Sequence, residues 1–497
     1  MNKTFFRWLF VIPMLAACLL ACSDAGRGNR IARQETRDGV KNGRAPRTAK
    51  SRSTVDKYLV FKSEGKTTIS LYNQGGSQPL LYYSTDGATW TEWDYTRITF
   101  TSESPLYMYG DNPDGLNKSL KRFSTFMVDG DKFGVEGSIM SLIDGREEVA
   151  TIPCAYCFNS LFEDCIGLTT APDLPATTLA DSCYWFLFKN CTSLTVAPEL
   201  PAVTLAPSCY TAMFLSCTGL TTAPELPATT LAAYCYSDMF ASCTNLTAAP
   251  ELPATTLDTG CYYGMFRYCK SMTVVPDFPA ATLAPSCCLS MFQGCTSLTA
   301  APALPAAAMA EKCYLYMFYN CTGLTVAPEL PATALAEMCY RDMFRGCTGL
   351  TAAPELPATA LAMSCYEGMF QGCTGLITAP ALSATVLAER CCLSMFSGCT
   401  NLTVAPDLPA ATLAKECYAS MFNGCSNLRV VKCLATDISA NSSTGNWLIR
   451  VASSGTFVKA VGMDVWPSDS DAPEDWHGWT RGKNGIPKGW TVRDDMQ

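Results

Sequence analysis

Cysteine is the residue on which reactive chemistry would most readily rest in this chain: 28 cysteines accompany a lone histidine, His477, in 497 residues. Thiols can pair as disulfides, ligate a metal or act as nucleophiles. Their spacing decides among these. A cysteine recurs every 26 residues at Cys157, Cys183, Cys209, Cys235, Cys261, Cys287, Cys313, Cys339, Cys365, Cys391 and Cys417. A second follows eight residues after each, from Cys165 to Cys425, so that 22 of the 28 belong to eleven copies of one pattern. Zinc sites bring two cysteines within two to four residues of each other and add an imidazole or a second pair. A gap of seven beside one histidine does not, and no metal is expected. Cys154 and Cys157 do make a C-x-x-C, but at the entrance of the array and without a thioredoxin-like context, so a capping pair or plain core is expected there.

Two further sets share the period. Acids recur as Asp173, Glu199, Glu225, Glu251, Asp277, Glu329, Glu355 and Asp407, with Ala303 and Ala381 as gaps. Stacked strands lie about 4.8 Å apart, so these carboxylates would repel one another unless solvated or countered. The stripe is either a solvated face or a recognition surface for cations or a basic partner, and it is the candidate binding stripe. Tyrosines recur as Tyr184, Tyr210, Tyr236, Tyr262, Tyr314, Tyr340, Tyr366 and Tyr418, replaced by Cys288 and Cys392 in two units. Exposed, such a row could stack on sugars; buried, it is core, and the exchange for cysteine favours core. The chain has no Gly-x-Ser-x-Gly, no phosphate loop and no histidine pair. An enzyme needs its acid, base, nucleophile or metal in one place. Eleven near-copies set length and surface instead, and neither catalysis nor a cofactor is expected.

A 26-residue unit cannot bury its own apolar face, so the units must stack. Within one unit, Leu335, Cys339, Met343, Phe344, Cys347 and Leu350 fall on one stripe of a helix. Gly349, Asn245 and Ser193, two residues after the second cysteine, would supply a left-handed stop. The following "LTAAPELP" is short and extended, and its prolines remove ladder donors, so the sheet would be narrow or locally polyproline-like. The expected fold class is therefore α/β, a leucine-rich-repeat solenoid of eleven 26-residue helix–strand units over residues 153–432. A helical rise separates cysteines eight apart by about 12 Å, beyond disulfide reach. Packed helices about 8–10 Å apart disfavour bridges between units as well. Buried free thiols are the expected state.

The flanks read differently. Residues 1–22 carry Lys3 and Arg7, an apolar run and "LLAC", which resembles a bacterial lipobox and implies cleavage and lipidation at Cys22. Residues 23–54 hold nine Lys or Arg, three acids and almost no large apolar side chain, the composition of a flexible basic tether. From residue 55 on, 25 basic residues face 41 acidic ones, which makes nucleic acid a poor partner. Residues 55–152 alternate apolar and polar positions between Asp-Gly and Gly-Gly punctuation, as a small β-sandwich-like domain would. "VDGDKFG" there, with Asp129 and Asp131, reads as a plain hairpin turn rather than a cation site. Residues 433–497, with Trp466, Trp476, Trp479 and Trp490, read as a C-terminal capping segment.

The recurring "MFxGCxxL" followed by "LTxxxxLP" resembles the BspA-like leucine-rich repeats of bacterial surface lipoproteins, over residues 157 to about 432. The tail "NWLIRVASSGTFVKAVGMDVW" with "GIPKGWTV" resembles the segment that closes such arrays. The "APELP" strand departs from that pattern. The resemblance implies a lipid-anchored cell-envelope protein, at the outer membrane or cell surface of a Gram-negative-type bacterium, that works in adhesion and binding. A protein partner, host or bacterial, is expected first. A glycan bound through the tyrosines or the tryptophan-rich tail is the alternative, and the membrane is met only through the lipid.

Overall fold

The structure is a computed structural model that describes residues 58–75, 78–145, 150–463 and 485–495. The leader, Cys22, the basic tether and three of the tail tryptophans, Trp466, Trp476 and Trp479, lie outside the described residues.

Described residues 58–145 form strands β1 (Leu59–Ser63), β2 (Thr67–Asn73), β3 (Leu81–Ser84), β4 (Thr91–Glu92), β5 (Ile98–Phe100), β6 (Leu106–Gly110), β7 (Ser124–Gly130) and β8 (Phe133–Glu136), then one short helix, α1 (Ser141–Asp144). Two sheets result. One runs β4-β3-β6-β1-β8 and ends on β9 (Leu168–Thr170), which belongs to the first repeat and lies parallel to β8; the other runs β5-β2-β7. Aromatic and β-branched residues alternate inward, and their rings meet edge to face between the sheets, as Phe61 does with Phe126 at 5.6 Å. "VDGDKFG" is not a hairpin: β7 and β8 belong to different sheets, and the chain crosses between them at Asp131–Lys132. Asp131 accepts the Lys66 amide at 2.8 Å, and Asp129 pairs with Arg97 at 3.3 Å. Phe126 also meets Phe162 of the first repeat at 5.3 Å, so one apolar interior runs on into the array.

The helix–strand leucine-rich-repeat unit is absent. Among the described residues α1 is the only α-helix, and the residues expected to be helical form a chain of overlapping turns. The backbone hydrogen bonds show why. From Cys209 to Cys217 every second amide donates three residues back, Cys209 to Ala206 at 3.2 Å, Thr211 to Ser208 at 3.1 Å and Met213 to Tyr210 at 3.2 Å. The alternate amides donate forward to the next coil, Tyr210 to Cys235 at 3.0 Å, Ala212 to Ser237 at 2.7 Å and Phe214 to Met239 at 2.9 Å. An α-helix would send all of them four residues back within itself. The switch is set by backbone dihedrals: φ is positive at every fourth residue, for example 54° at Ser208, 51° at Ala212 and 63° at Ser216. Repeated in the other coils, this left-handed step breaks any helix after one turn.

The inward pairs Cys209–Tyr210, Met213–Phe214 and Cys217 therefore recur with a period of 4.0. A period of 3.6 predicts almost the same spacing over one or two steps, which is how the stripe reads as helical. The left-handed stop expected at Gly349 is displaced as well: positive φ lies at Gly346, before Cys347, and not at Gly349, Asn245 or Ser193.

The rest of each coil is extended. Leu226 and Ala228 point inward while Pro227 and Thr229 point out, and neighbouring coils meet there only in isolated parallel bridges such as Val196↔Thr222 and Thr230↔Thr256. Two prolines per coil leave too few donors for a continuous ladder. The turn pattern continues one coil beyond the eleventh repeat, with positive φ at Ser442, Asn446 and Arg450, Trp447 in the methionine position and Ser443 in that of the first cysteine. β10 (Val430–Cys433), β11 (Gly455–Lys459) and β12 (Trp490–Asp494) then form a parallel sheet. Trp490, buried, donates its indole N–H to the Ala452 carbonyl at 2.8 Å.

Candidate functional surface

The sulfur columns come first, because their geometry decides whether they are chemistry. All 22 repeat cysteines are buried and unbridged. The expected reason fails with the helices: coils joined by backbone hydrogen bonds lie about 4.8 Å apart, close enough for Cα atoms of a disulfide. What prevents bridging is that equivalent side chains run parallel, which holds Cβ atoms near the coil spacing, beyond the roughly 3.8 Å a disulfide prefers. From Cys191 on, each second cysteine instead donates its S–H to the carbonyl of the inward phenylalanine one coil back, while Cys165 donates to the Phe126 carbonyl of β7 at 3.6 Å. Cys191 reaches Phe162 at 3.1 Å, Cys217 reaches Phe188 at 3.0 Å, and the series continues to Cys425 and Phe396 at 3.0 Å. That carbonyl faces no forward amide, so the thiol satisfies its second lone pair. Burial pushes these thiols up, from 9.0 to about 12 for Cys217, Cys321, Cys373 and Cys425. They are neutral donors at physiological pH, which is a packing role.

The aromatic columns are interior too. Tyr184, Tyr210, Tyr236, Tyr262, Tyr314, Tyr340, Tyr366 and Tyr418 are each at most 2% exposed, so they offer no platform to a sugar. Phenylalanines from Phe162 to Phe422 stack in one column with ring centroids 5.5–5.8 Å apart. Where Cys288 interrupts the tyrosines, Phe278 packs its edge on Tyr262 at 5.5 Å.

The acidic column is exposed throughout: Asp173, Glu199, Glu225, Glu251, Asp277, Glu329, Glu355 and Asp407 all face solvent from the extended segments. Register brings them into one line, since successive segments bridge at the adjacent leucine, Leu356 to Leu382. Burial and then the neighbouring Glu199 push the Asp173 carboxyl above its ordinary value. At the gap left by Ala303, Asp277 accepts that residue's amide at 3.3 Å, and at the far end Asp407 meets Lys432 at 3.6 Å. Glu199, Glu225, Glu251, Glu329 and Glu355 make no ion pair among the described residues.

Beside the acids run columns the sequence reading did not single out. Exposed prolines sit two residues on, as Pro201, Pro227 and Pro253 do, and three residues before lie Val196, Val274, Val326 and Val404, each more than half exposed. Next to these, Thr221, Thr273 and Thr325 donate their hydroxyls to the carbonyls of Thr195, Thr247 and Thr299 at 3.2–3.4 Å. Alternation around Leu200 would have revealed the acid and proline columns, but it would have placed Val196 inward with Leu194 and Leu200, so the exposed valines were not legible in this way. The turn faces carry buried charge that the sequence reading also missed: Asp238, lying over Gly264, pairs with Arg267 at 2.8 Å, and burial raises its carboxyl to about 6. Among the described residues no cluster of His, Cys, Asp and Glu is arranged to hold a metal ion. Comparison with protein-family models and with curated proteins gives no match.

Proposed function

We propose that the chain is an envelope-displayed binding protein that engages a partner protein through the face built by its extended segments. The observation that carries this reading is the alignment, at coil pitch, of exposed acids with exposed proline, valine and threonine columns. Apolar rows give area to bury, and the five acids without an ion pair give the charge that would select a basic partner surface. The repeated face lets several coils engage at once, so a modest contact per coil adds up along the array. Anchoring through Cys22 would tether the chain to the membrane by its lipid.

The test is a binding screen of the full chain against host extracellular and bacterial surface proteins, in parallel with an oligosaccharide array. A variant with Glu199, Glu225, Glu251, Glu329 and Glu355 changed to Gln serves as the control for the face. Binding to a basic protein that weakens in the variant and in raised salt is the expected result. Binding confined to oligosaccharides, or equal binding by the variant, refutes the reading.

A further inference from the structure

Of the 26 described cysteines, Cys154 is the sole one that is not buried. It lies in the C-x-x-C at the mouth of the array, beside the buried Cys157. Gly115, at φ 92°, lies against both sulfurs; a Cβ there would run into the Cys154 sulfur and lie 3.2 Å from that of Cys157. The same loop fixes the pair from above: the Asn117 carbonyl accepts the Cys154 S–H at 3.3 Å, and the Asn117 amide donates to the Cys157 carbonyl at 3.0 Å. Asn117 also lines a cavity of about 350 Å³ whose walls include Lys118, Arg122, Phe123 and Ser124.

We propose that Cys154 and Cys157 form a thiol–disulfide exchange site for small anionic disulfides, which Lys118 and Arg122, on the loop that carries Asn117, attract. The two cysteines occupy the first and fourth positions of a turn with positive φ at Tyr156, which keeps their Cα atoms within the roughly 7 Å a disulfide tolerates. Their environments are opposed. Interaction with the Cys157 thiol, aided by Lys118, outweighs burial and the nearby Asp114 carboxylate and lowers the Cys154 thiol below its ordinary value, whereas burial raises that of Cys157. An attacking thiolate and a protonated resolving thiol need that division.

The Cys154 thiolate attacks one sulfur of the external disulfide, whose S–S bond breaks and whose far half leaves as a thiolate. A mixed disulfide now joins Cys154 to the near half. Cys157 then attacks the Cys154 sulfur, its proton passes to a departing thiolate, and the second half leaves as a thiol. Two electrons move from the protein thiolate–thiol pair to the external disulfide, which ends as one thiolate and one thiol, and Cys154 and Cys157 end bonded. Each chain reacts once, so this is a modification site at the joint between the β domain and the array, and it stands independently of the binding face.

The probe is 5,5′-dithiobis(2-nitrobenzoate), an anionic aromatic disulfide, applied to the reduced full chain, with released thiol measured by absorbance and products located by peptide mass spectrometry. Expected are two thiols released through this site, a Cys154–Cys157 bond and no retained adduct. Cys157→Ala should release one thiol and keep the adduct on Cys154; Cys154→Ala should leave the site unreactive. Lys118→Gln with Arg122→Gln should slow the reaction about tenfold while leaving that with the uncharged 4,4′-dithiodipyridine unchanged. A stable adduct on wild-type Cys154, first labelling at Cys157, or equal slowing with both probes would overturn the proposal.

Discussion

Raising the pH should dismantle the array in a narrow range, and the position of that range follows from the burial of its thiols. In twenty of the 22 repeat cysteines, all but Cys287 and Cys391 of the vicinal pairs, burial raises the thiol above its ordinary value of 9.0, to about 12 where Cys183, Cys235 and Cys339 are concerned. A group whose folded value is raised contributes stability that is complete below its unfolded value and is lost as pH climbs from there toward the folded value. The window is therefore pH 9 to 12. At pH 9 each unfolded thiol is half ionised and each folded one is not, which costs about 0.4 kcal/mol; at pH 10 the cost is about 1.4 kcal/mol. With two such thiols, one coil loses about 2.8 kcal/mol at pH 10. A 26-residue coil of ordinary density contributes roughly 1.3–3.9 kcal/mol, and coil stabilities add along a repeat array. Unfolding should therefore be centred between about pH 9 and 10.5 at 25 °C. The measurement is tryptophan fluorescence and circular dichroism of the reduced full chain across pH 7–12. A fold unchanged at pH 11 would refute the reasoning, because solvated or disulfide-bonded sulfurs would impose no such limit.

Three other outcomes can be checked directly. At pH 8 a thiol raised from 9.0 to about 12 carries about a thousandfold less thiolate, so brief maleimide labelling of the native protein should mark Cys154 and none of the ladder, while denaturant exposes the 25 buried cysteines. Cys321→Ala removes the donor that reaches Phe292 at 3.0 Å and leaves a small void, costing about 1–3 kcal/mol in chemical denaturation; Cys321→Ser, which keeps a donor, should cost less, and the reverse order would show that the S–H bond does not matter. Gly372→Ala meets nothing closer than 3.9 Å, so its effect isolates the backbone at φ 74°: a loss of about 1–2 kcal/mol is expected, and none would mean the turn geometry is wrong.

The array's period, its eleven copies and the inward position of cysteine, tyrosine, methionine and phenylalanine are properties of the sequence, because a unit too short to bury its own apolar side must repeat it in register with its neighbours. The class of backbone that carries this pattern was not legible in the same way. Steps of four from Cys339 to Met343 to Cys347 suit a helix over so short a run. The residue types that argue otherwise, Ser208, Ser216, Asn190 and Gly346, are weak helix formers, but taken one at a time a helix tolerates each of them until their dihedrals are known. What decides between the two is where alternate amides find acceptors, and the acceptors at Cys235, Ser237 and Met239 exist only once a second coil lies alongside. The acidic column is equally legible as a period. Its solvent exposure and its valine and proline neighbours depend on which side of the extended segment faces the interior. Sequence thus determined what repeats and what is buried. The stacking of coil on coil decided how the backbone turns, because hydrogen bonds to a neighbouring coil are long-range contacts that no local propensity encodes.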